Sequence, residues 1–386
     1  MTLEELVSHE PSRLAEFPVS GEGIFMAHAG VTILPRRVTS AMQDYLEMCC
    51  LQHQESGHVW RTLQETRGVA AQLIGAKPSE IALLGPTSLG LSLVANGIDW
   101  QQGDEVVCYH DDYPANVYPW MDLQRHGVTL RYVETEAPGA ITLEAVEKVL
   151  TPRTRMVALA SCHFFTGYRI DVDAIGKMLR QRGILFCLDA IQTVGAFPTS
   201  VEYVDFLSAD AHKWMLGPMA AGIFYVREEL QDTLRPSLLG AWNVRSPNFI
   251  AQDEVAFEKG GRRYEPGVLN AAGIIGMRAG LELILDLGLD AISARLLKLK
   301  AVLVERLGAL GFQVLPPTAG ENASSITTAC RDGGASLEAV FDHLTAHKVV
   351  VSLRHNRAGR AHLRFSPHFY NTEEEILRVC ALMAQV

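Results

Sequence analysis

Between about residues 65 and 230 the chain alternates short apolar runs with stretches of helical period. The apolar runs are IALLG (81–85), EVVCYH (105–110), TLRYVE (129–134), RMVALAS (155–161), ILFCLDA (184–190), DFLSAD (205–210) and GIFYVR (222–227). Several are unbroken β-branched and apolar sequences, the pattern of strands covered on both faces. Helical patterns over 88–98, 116–126, 142–150 and 173–182 separate them. Strand–helix alternation of this kind predicts an α/β domain, a mostly parallel seven-stranded sheet with helices on both faces. The link between the last two runs is short and contains Gly and Pro, which allows one antiparallel strand there.

The pattern changes outside that region. Residues 1–20 read as a short amphipathic helix leading into a loop. Residues 270–310 read as helix with one interruption near Gly288, long enough to connect two domains. Strand-like FQVL, SSITTA, VVVSLR and HLRFS follow, with helices over 336–347 and from Thr372. Asn371 or Thr372 is the expected N-cap of the last helix, with three acids in its first turn. The expected organisation is an N-terminal arm (1–22) packing on the small domain, a large domain (23–270), and a linking helix with a small α+β C-terminal domain (271–386).

Composition narrows the function classes. Lys+Arg number 34 and Asp+Glu 44, so the net charge is 34 − 44 = −10. A nucleic-acid binder would need a net basic face, so that class is excluded, and so is a membrane protein, because no apolar run approaches the roughly 18 residues needed to span a bilayer. The start, MTLEELVSHEP, is too polar for a secretory signal, so a cytoplasmic protein is expected. Seven cysteines stand at 49, 50, 108, 162, 187, 330 and 380, an odd number without a C-x-x-C pair. They are expected to be reduced, and mostly buried.

The chemistry concentrates in 184–227. Asp189 ends one apolar strand, Gln192 follows it, and Lys213 stands just beyond the next strand beside His212. In open α/β sheets ligands bind outside the carboxyl ends of the strands, so Asp189 and Lys213 point into one crevice. A lysine amine forms a Schiff base with a carbonyl cofactor, and a carboxylate suits a pyridinium nitrogen. That pair fits pyridoxal 5′-phosphate (PLP).

The segment L-D-A-I-Q, 24 residues before the Lys of H-K-W, resembles the class V aminotransferases of the fold-type I PLP enzymes. That group includes cysteine desulfurases, selenocysteine lyases and isopenicillin-N-epimerase-like proteins. The resemblance runs from H-A-G-V-T-I-L-P (28–35) to R-F-S-P-H-F-Y-N-T (364–372) and implies the fold, PLP and a homodimer. By resemblance Lys213 is the Schiff-base lysine and base, Asp189 the ring-nitrogen partner, and Gln192 the partner of the ring hydroxyl. His212 resembles a neighbour of the phosphate or of the lysine linkage. Thr87 and Ser88, in G-P-T-S-L-G (85–90), can hold a phosphate at a helix N-terminus. Tyr113 resembles the ring-stacking residue, where desulfurases have His. Arg364 resembles the arginine that binds the substrate α-carboxylate, and His28 sits in the loop that closes the substrate site. Arg354, Arg357 and Arg360 are either surface charges or contacts to a second substrate carboxylate.

Three positions depart from the pattern. Val268 replaces a frequent Thr in the segment 260–276, which in the family crosses the dimer to the partner's phosphate. Asp210 replaces the desulfurase Ser, and a carboxylate there would face a His, an Arg or a backbone donor rather than phosphate. Phe164 replaces an Asn near the ring hydroxyl. The implied function is a PLP enzyme acting on the α-amino group and Cα of a small amino acid through an external aldimine, as aminotransferase, lyase or epimerase. Desulfurases of the group use a loop cysteine shortly before the Arg of R-x-S; the interval 352–363 contains none. Cysteine desulfurase or selenocysteine lyase is therefore the alternative, and a silent PLP-binding regulator or partner subunit a second one. An NAD enzyme is excluded by the lack of a G-x-G-x-x-G after the first strand.

Overall fold

The computed structural model describes residues 2–386, so residue 1 of the expected arm lies outside it. Seven strands form the central sheet: β2 (Ile81–Leu83), β3 (Glu105–Cys108), β4 (Thr129–Tyr132), β5 (Thr154–Ala160), β6 (Leu185–Asp189), β7 (Phe206–Asp210) and β8 (Gly222–Val226). Their order is β2-β8-β7-β6-β5-β3-β4, and β8 alone runs against the rest. The mostly parallel seven-stranded sheet and its one reversed strand are as the pattern predicts.

The apolar runs are continuous because both faces are covered. Val107, Leu159, Phe186, Leu188 and Leu207 enter one buried cluster. Their chain neighbours Val106, Ala158, Cys187 and Phe206 enter another on the opposite face. This is the two-residue side-chain period of a strand with an apolar layer on each side. Gly90, in the helix Thr87–Gly97, permits close packing on β7, since a Cβ there would stand 2.4 Å from Ser208 Oγ.

A second sheet is antiparallel, in the order β12-β13-β10-β9: β9 (Gln313–Val314), β10 (Thr327–Cys330), β12 (Ser352–His355) and β13 (Ala361–Phe365). Residues of the helices Leu289–Ala309, Leu337–Ala346 and Glu373–Met383 share its apolar cluster. Thr372 caps the last helix, its hydroxyl accepting from Glu375 N–H while the Glu375 carboxylate accepts from Thr372 N–H. A short parallel pair, β1 (Ile24–Phe25) with β11 (Val349–Val350), lays residues 24–30 beside this sheet, and Ala27 bridges to Ser366.

Three stretches differ from expectation. The arm is three helices, Leu3–Ser8, Glu10–Glu16 and the single turn Val19–Glu22; the first two are separate because Pro11 fits only a first helical turn. Residues 116–126 hold a four-residue helix, Tyr118–Met121, between 3-10 turns, with Pro114 and Pro119 breaking the ladder. The helices Arg36–Cys49 and Gly57–Ile74, which the pattern does not announce, pack on Ala271–Leu287.

Candidate active site

The carboxyl ends of β2, β3, β5, β6 and β7 open on one side of the large sheet, facing the β12–β13 hairpin. Between them lies a cavity of about 470 Å³. Seven of the expected residues line it: Thr87, Ser88, Tyr113, Asp189, His212, Lys213 and Arg364. They come from five separate elements, and only the fold brings them together.

Lys213 follows β7 and is 7% exposed. Burial lowers its pKa to about 8, the nearby Asp189 opposes that shift, and Arg364 adds to it. Its Nζ lies 5.4 Å from the centre of the Tyr113 ring. Tyr113 in turn meets Phe164 edge to face, the ring centres 5.4 Å apart. Asp189 ends β6 and is nearly inaccessible. Burial raises its pKa to about 7, helped by Asp112 nearby, while the Ile191 N–H, 3.1 Å from Oδ1, stabilises the charged form.

Thr87 opens the helix that follows β2. Its hydroxyl oxygen accepts from Asp210 N–H at 2.9 Å and its carbonyl from Ser208 Oγ at 3.0 Å. The Thr87 O–H is thereby left to donate, beside the Ser88 hydroxyl and the free N–H groups of a helix start. Arg364, on β13, is 1% exposed. Its Nη1 donates to Phe164 C=O at 2.6 Å, while Nε and Nη2 have no hydrogen-bond partner among the described residues. Burial lowers its pKa to about 9, and the neighbouring Arg354 pushes the same way. A buried guanidinium with unmet donors calls for an anionic ligand.

Three expected residues do not line the cavity. His28 is wholly buried: Ser366 C=O lies 2.9 Å from Nδ1 and Tyr370 Oη 3.1 Å from Nε2. Both ring nitrogens are thus occupied in joining its loop to the chain after β13, so His28 is corrected from a substrate contact to a structural link. Gln192 is likewise engaged, its amide donating to Ala29 C=O and accepting from Trp214 Nε1. These two bonds use one amide N–H and one carbonyl lone pair, so a second N–H of Gln192 stays uncommitted. Asp210 is buried behind the wall, its Oδ2 3.2 Å from His212 Nδ1. That approach is electrostatic rather than an aligned hydrogen bond, since Nδ1 has no hydrogen-bond partner among the described residues. Asp210 supports His212 and, through its backbone, Thr87.

The unpredicted lining residues include Pro86, Ala115, Ile191 and Ser352, none with a chemical signature in sequence. Arg354 also lines the cavity, whereas Arg357 pairs with Asp111 and Arg360 with Asp332. None of the seven cysteines lines it. In the segment 260–276, Glu265 is held by buried Arg67 and Leu83 N–H, while Val268 is 69% exposed.

The residues fit PLP: a buried lysine amine, a buried carboxylate on the same cavity, a phosphate-sized set of donors at a helix start, and an aromatic ring beside the lysine. Comparison with known proteins agrees. The family model described as Aminotransferase class-V matches residues 24–379. A probable cysteine desulfurase of Pyrococcus abyssi is 28% identical, covering 94% of this chain and 93% of its own. An uncharacterized aminotransferase, YcbU of Bacillus subtilis, is 29% identical over 96% of each chain. The apo structure of a cysteine desulfurase from Thermococcus onnurineus NA1 superposes with a TM-score of 0.90 at 26% identity, covering 97% of both chains.

Proposed function

The chain belongs to the class V aminotransferase family of PLP-dependent enzymes, and we propose that it is a lyase-type member acting at Cα of a small sulfur-bearing amino acid. The side-chain sulfur is released to solvent as a thiol or sulfide. The observation that carries this reading is the cavity wall itself: one neutralisable lysine, one buried arginine with unmet donors, and no cysteine. The relatives named cysteine desulfurase support breakage of a C–S bond.

The residues divide the work as follows. Asp189 is the partner of the ring nitrogen, because a cation opposite favours its charged form against burial. Thr87, Ser88 and the first N–H groups of their helix hold the phosphate, with His212 beside them. Tyr113, beside Lys213, would help hold the ring. When bound, PLP supplies an electron sink that draws density away from Cα. Arg364 takes the substrate α-carboxylate through its free Nε and Nη2, a planar two-bond contact that fixes the Cα–H direction. Lys213, its pKa lowered to about 8, carries a useful neutral fraction near pH 7 and removes the Cα proton through Nζ. Loss of that proton lets the Cβ–S bond break, the sulfur leaving with its electron pair. Lys213 is the only lysine in the wall, so we assign proton removal and return to one face of the substrate.

We further propose a homodimer in a reducing cytoplasm. Exposed Leu238, Leu239, Phe249, Ile250, Val255 and Val268 supply apolar surface for it, Val268 lying within segment 260–276, which would cross to the partner's site. The resemblance to YcbU favours transamination as a second reading. An amino-acid panel run with and without a 2-oxo acid separates the two. Sulfide or thiol release without a 2-oxo acid is expected. Keto-acid formation that depends on an added 2-oxo acid, with no sulfur release, would replace the first reading by the second.

A further inference from the structure

We propose that the amino acid taken by this site carries a second carboxylate at the end of its side chain, and that Arg354 binds it. This rests on the reading of Arg364 as the anchor of the α-carboxylate.

The sheet register places the two arginines together. Ser352 on β12 stands opposite Arg364 on β13, and Arg354 stands opposite His362. Arg354 and Arg364 are thus diagonal neighbours on one face of the hairpin. Their tips converge on the space above Gly30. A Cβ built on Gly30 would lie 3.7 Å from Arg364 Nη2 and 3.8 Å from Arg354 Nη2, so the tips are within 7.5 Å of each other, the sum of the two distances. Gly30 leaves that space open to a ligand.

The other arginines of the hairpin are spent. Arg357 donates to Asp111 and to His110 C=O, and Arg360 donates to Asp332. The exposed Arg354 side chain has neither a hydrogen bond nor an ion pair with protein among the described residues, and it borders the cavity. Arg364 keeps two unmet donors in a buried position. The cavity wall therefore presents three cations, Lys213, Arg354 and Arg364, against one carboxylate, Asp189. Like charges this close repel, and Arg354 contributes to the lowered pKa of both Arg364 and Lys213. One α-carboxylate satisfies one guanidinium. A second carboxylate on the same molecule satisfies the other and relieves the repulsion. The cofactor phosphate does not serve this purpose, because its proposed donors, Thr87, Ser88 and His212, belong to the large-sheet wall.

The test is calorimetric titration of the holoenzyme with succinate and with butyrate, four-carbon acids that differ in one carboxylate. Succinate is expected to bind at least about tenfold tighter, the worth of one charge-assisted contact. In Arg354→Gln the ratio should fall below about threefold, and Arg354→Lys should keep part of it, having charge without the guanidinium fork. A ratio near one in the unaltered protein overturns the proposal, as does failure of succinate to bind. A tenfold ratio that survives Arg354→Gln overturns it too, since another residue then reads the second carboxylate. Neither acid has an amino group, so their binding does not depend on the chemistry of Lys213. Failure of sulfur release with a retained succinate preference would sink the proposed reaction and leave this inference standing.

Discussion

The two walls of the cavity hold their charges differently. On the large-sheet wall Thr87, Asp189 and His212 are each braced by a neighbouring protein group, while the Thr87 and Ser88 hydroxyls stay free to donate. Asp210 faces His212 and its N–H holds Thr87, Ile191 N–H holds Asp189, and Ser208 holds the Thr87 carbonyl. On the hairpin wall, Arg364 is buried with two unmet donors and Arg354 is unpaired beside it. The first wall is preorganised by the protein alone. The second is completed by what binds. A wall of the first kind suits a resident cofactor, which stays bound through turnover. A wall of the second kind suits a substrate, which must enter, be held and leave.

The contrast can be broken at its strongest point first. Lys213→Ala should lower turnover by about 10⁴-fold, the upper range for loss of a positioned base, in steady-state assays of sulfur release. An effect under tenfold would place the base elsewhere. Arg364→Gln should raise the amino-acid dissociation constant about 100-fold while cofactor content, read by absorbance, stays near normal. Equal loss of cofactor would mean the two walls are not separable.

A pH test sharpens the large-sheet side. Burial pushes the Asp189 carboxyl up from the ordinary 3.8 to about 7. In the apoprotein the folded state therefore binds more protons than the unfolded state between those values. Stability should then fall as pH rises from about 4 to 7. Asp189→Asn should remove up to one proton from that slope, about 1.4 kcal/mol per pH unit, in thermal unfolding. An unchanged slope would show that the carboxyl is ionised throughout. The smallest effect is expected away from both walls. His28→Asn should cost about 1–2 kcal/mol of stability through the lost contacts to Ser366 and Tyr370, with little change in substrate KM. A large KM effect would restore His28 to the site.

The same contrast explains what could be read in the chain. The large-sheet wall was legible because its groups sit at strand ends: Asp189 closes β6, and Lys213 stands three residues beyond β7. Strands covered on both faces announce themselves as unbroken apolar runs. Gln192 and His28 fall outside the cavity lining for a different reason. Each is the right type in the right segment, but the hydrogen bonds that turn it inward come from Trp214, Ser366 and Tyr370, distant in sequence. Arg354 was one of three hairpin arginines that composition could not separate. Only the β12–β13 register and the pairing of Arg357 and Arg360 with Asp111 and Asp332 single it out. The helix Gly57–Ile74 shows no clean helical apolar pattern because Thr66 and Arg67 interrupt its buried face, with Arg67 paired to Glu265. Its Ser56 and left-handed Gly75 were the available signals.

The central claim is that Lys213 holds the cofactor on the preorganised wall. Borohydride reduction fixes the cofactor covalently to whichever amine carries it, and peptide mass mapping then locates the added mass. The chain contains a second buried lysine for comparison, Lys300, whose Nζ donates to Ile326 C=O at 2.7 Å. The pyridoxyl mass is predicted on the peptide containing Lys213. Its presence on Lys300 or any other lysine, with Lys213 unmodified, would contradict the account.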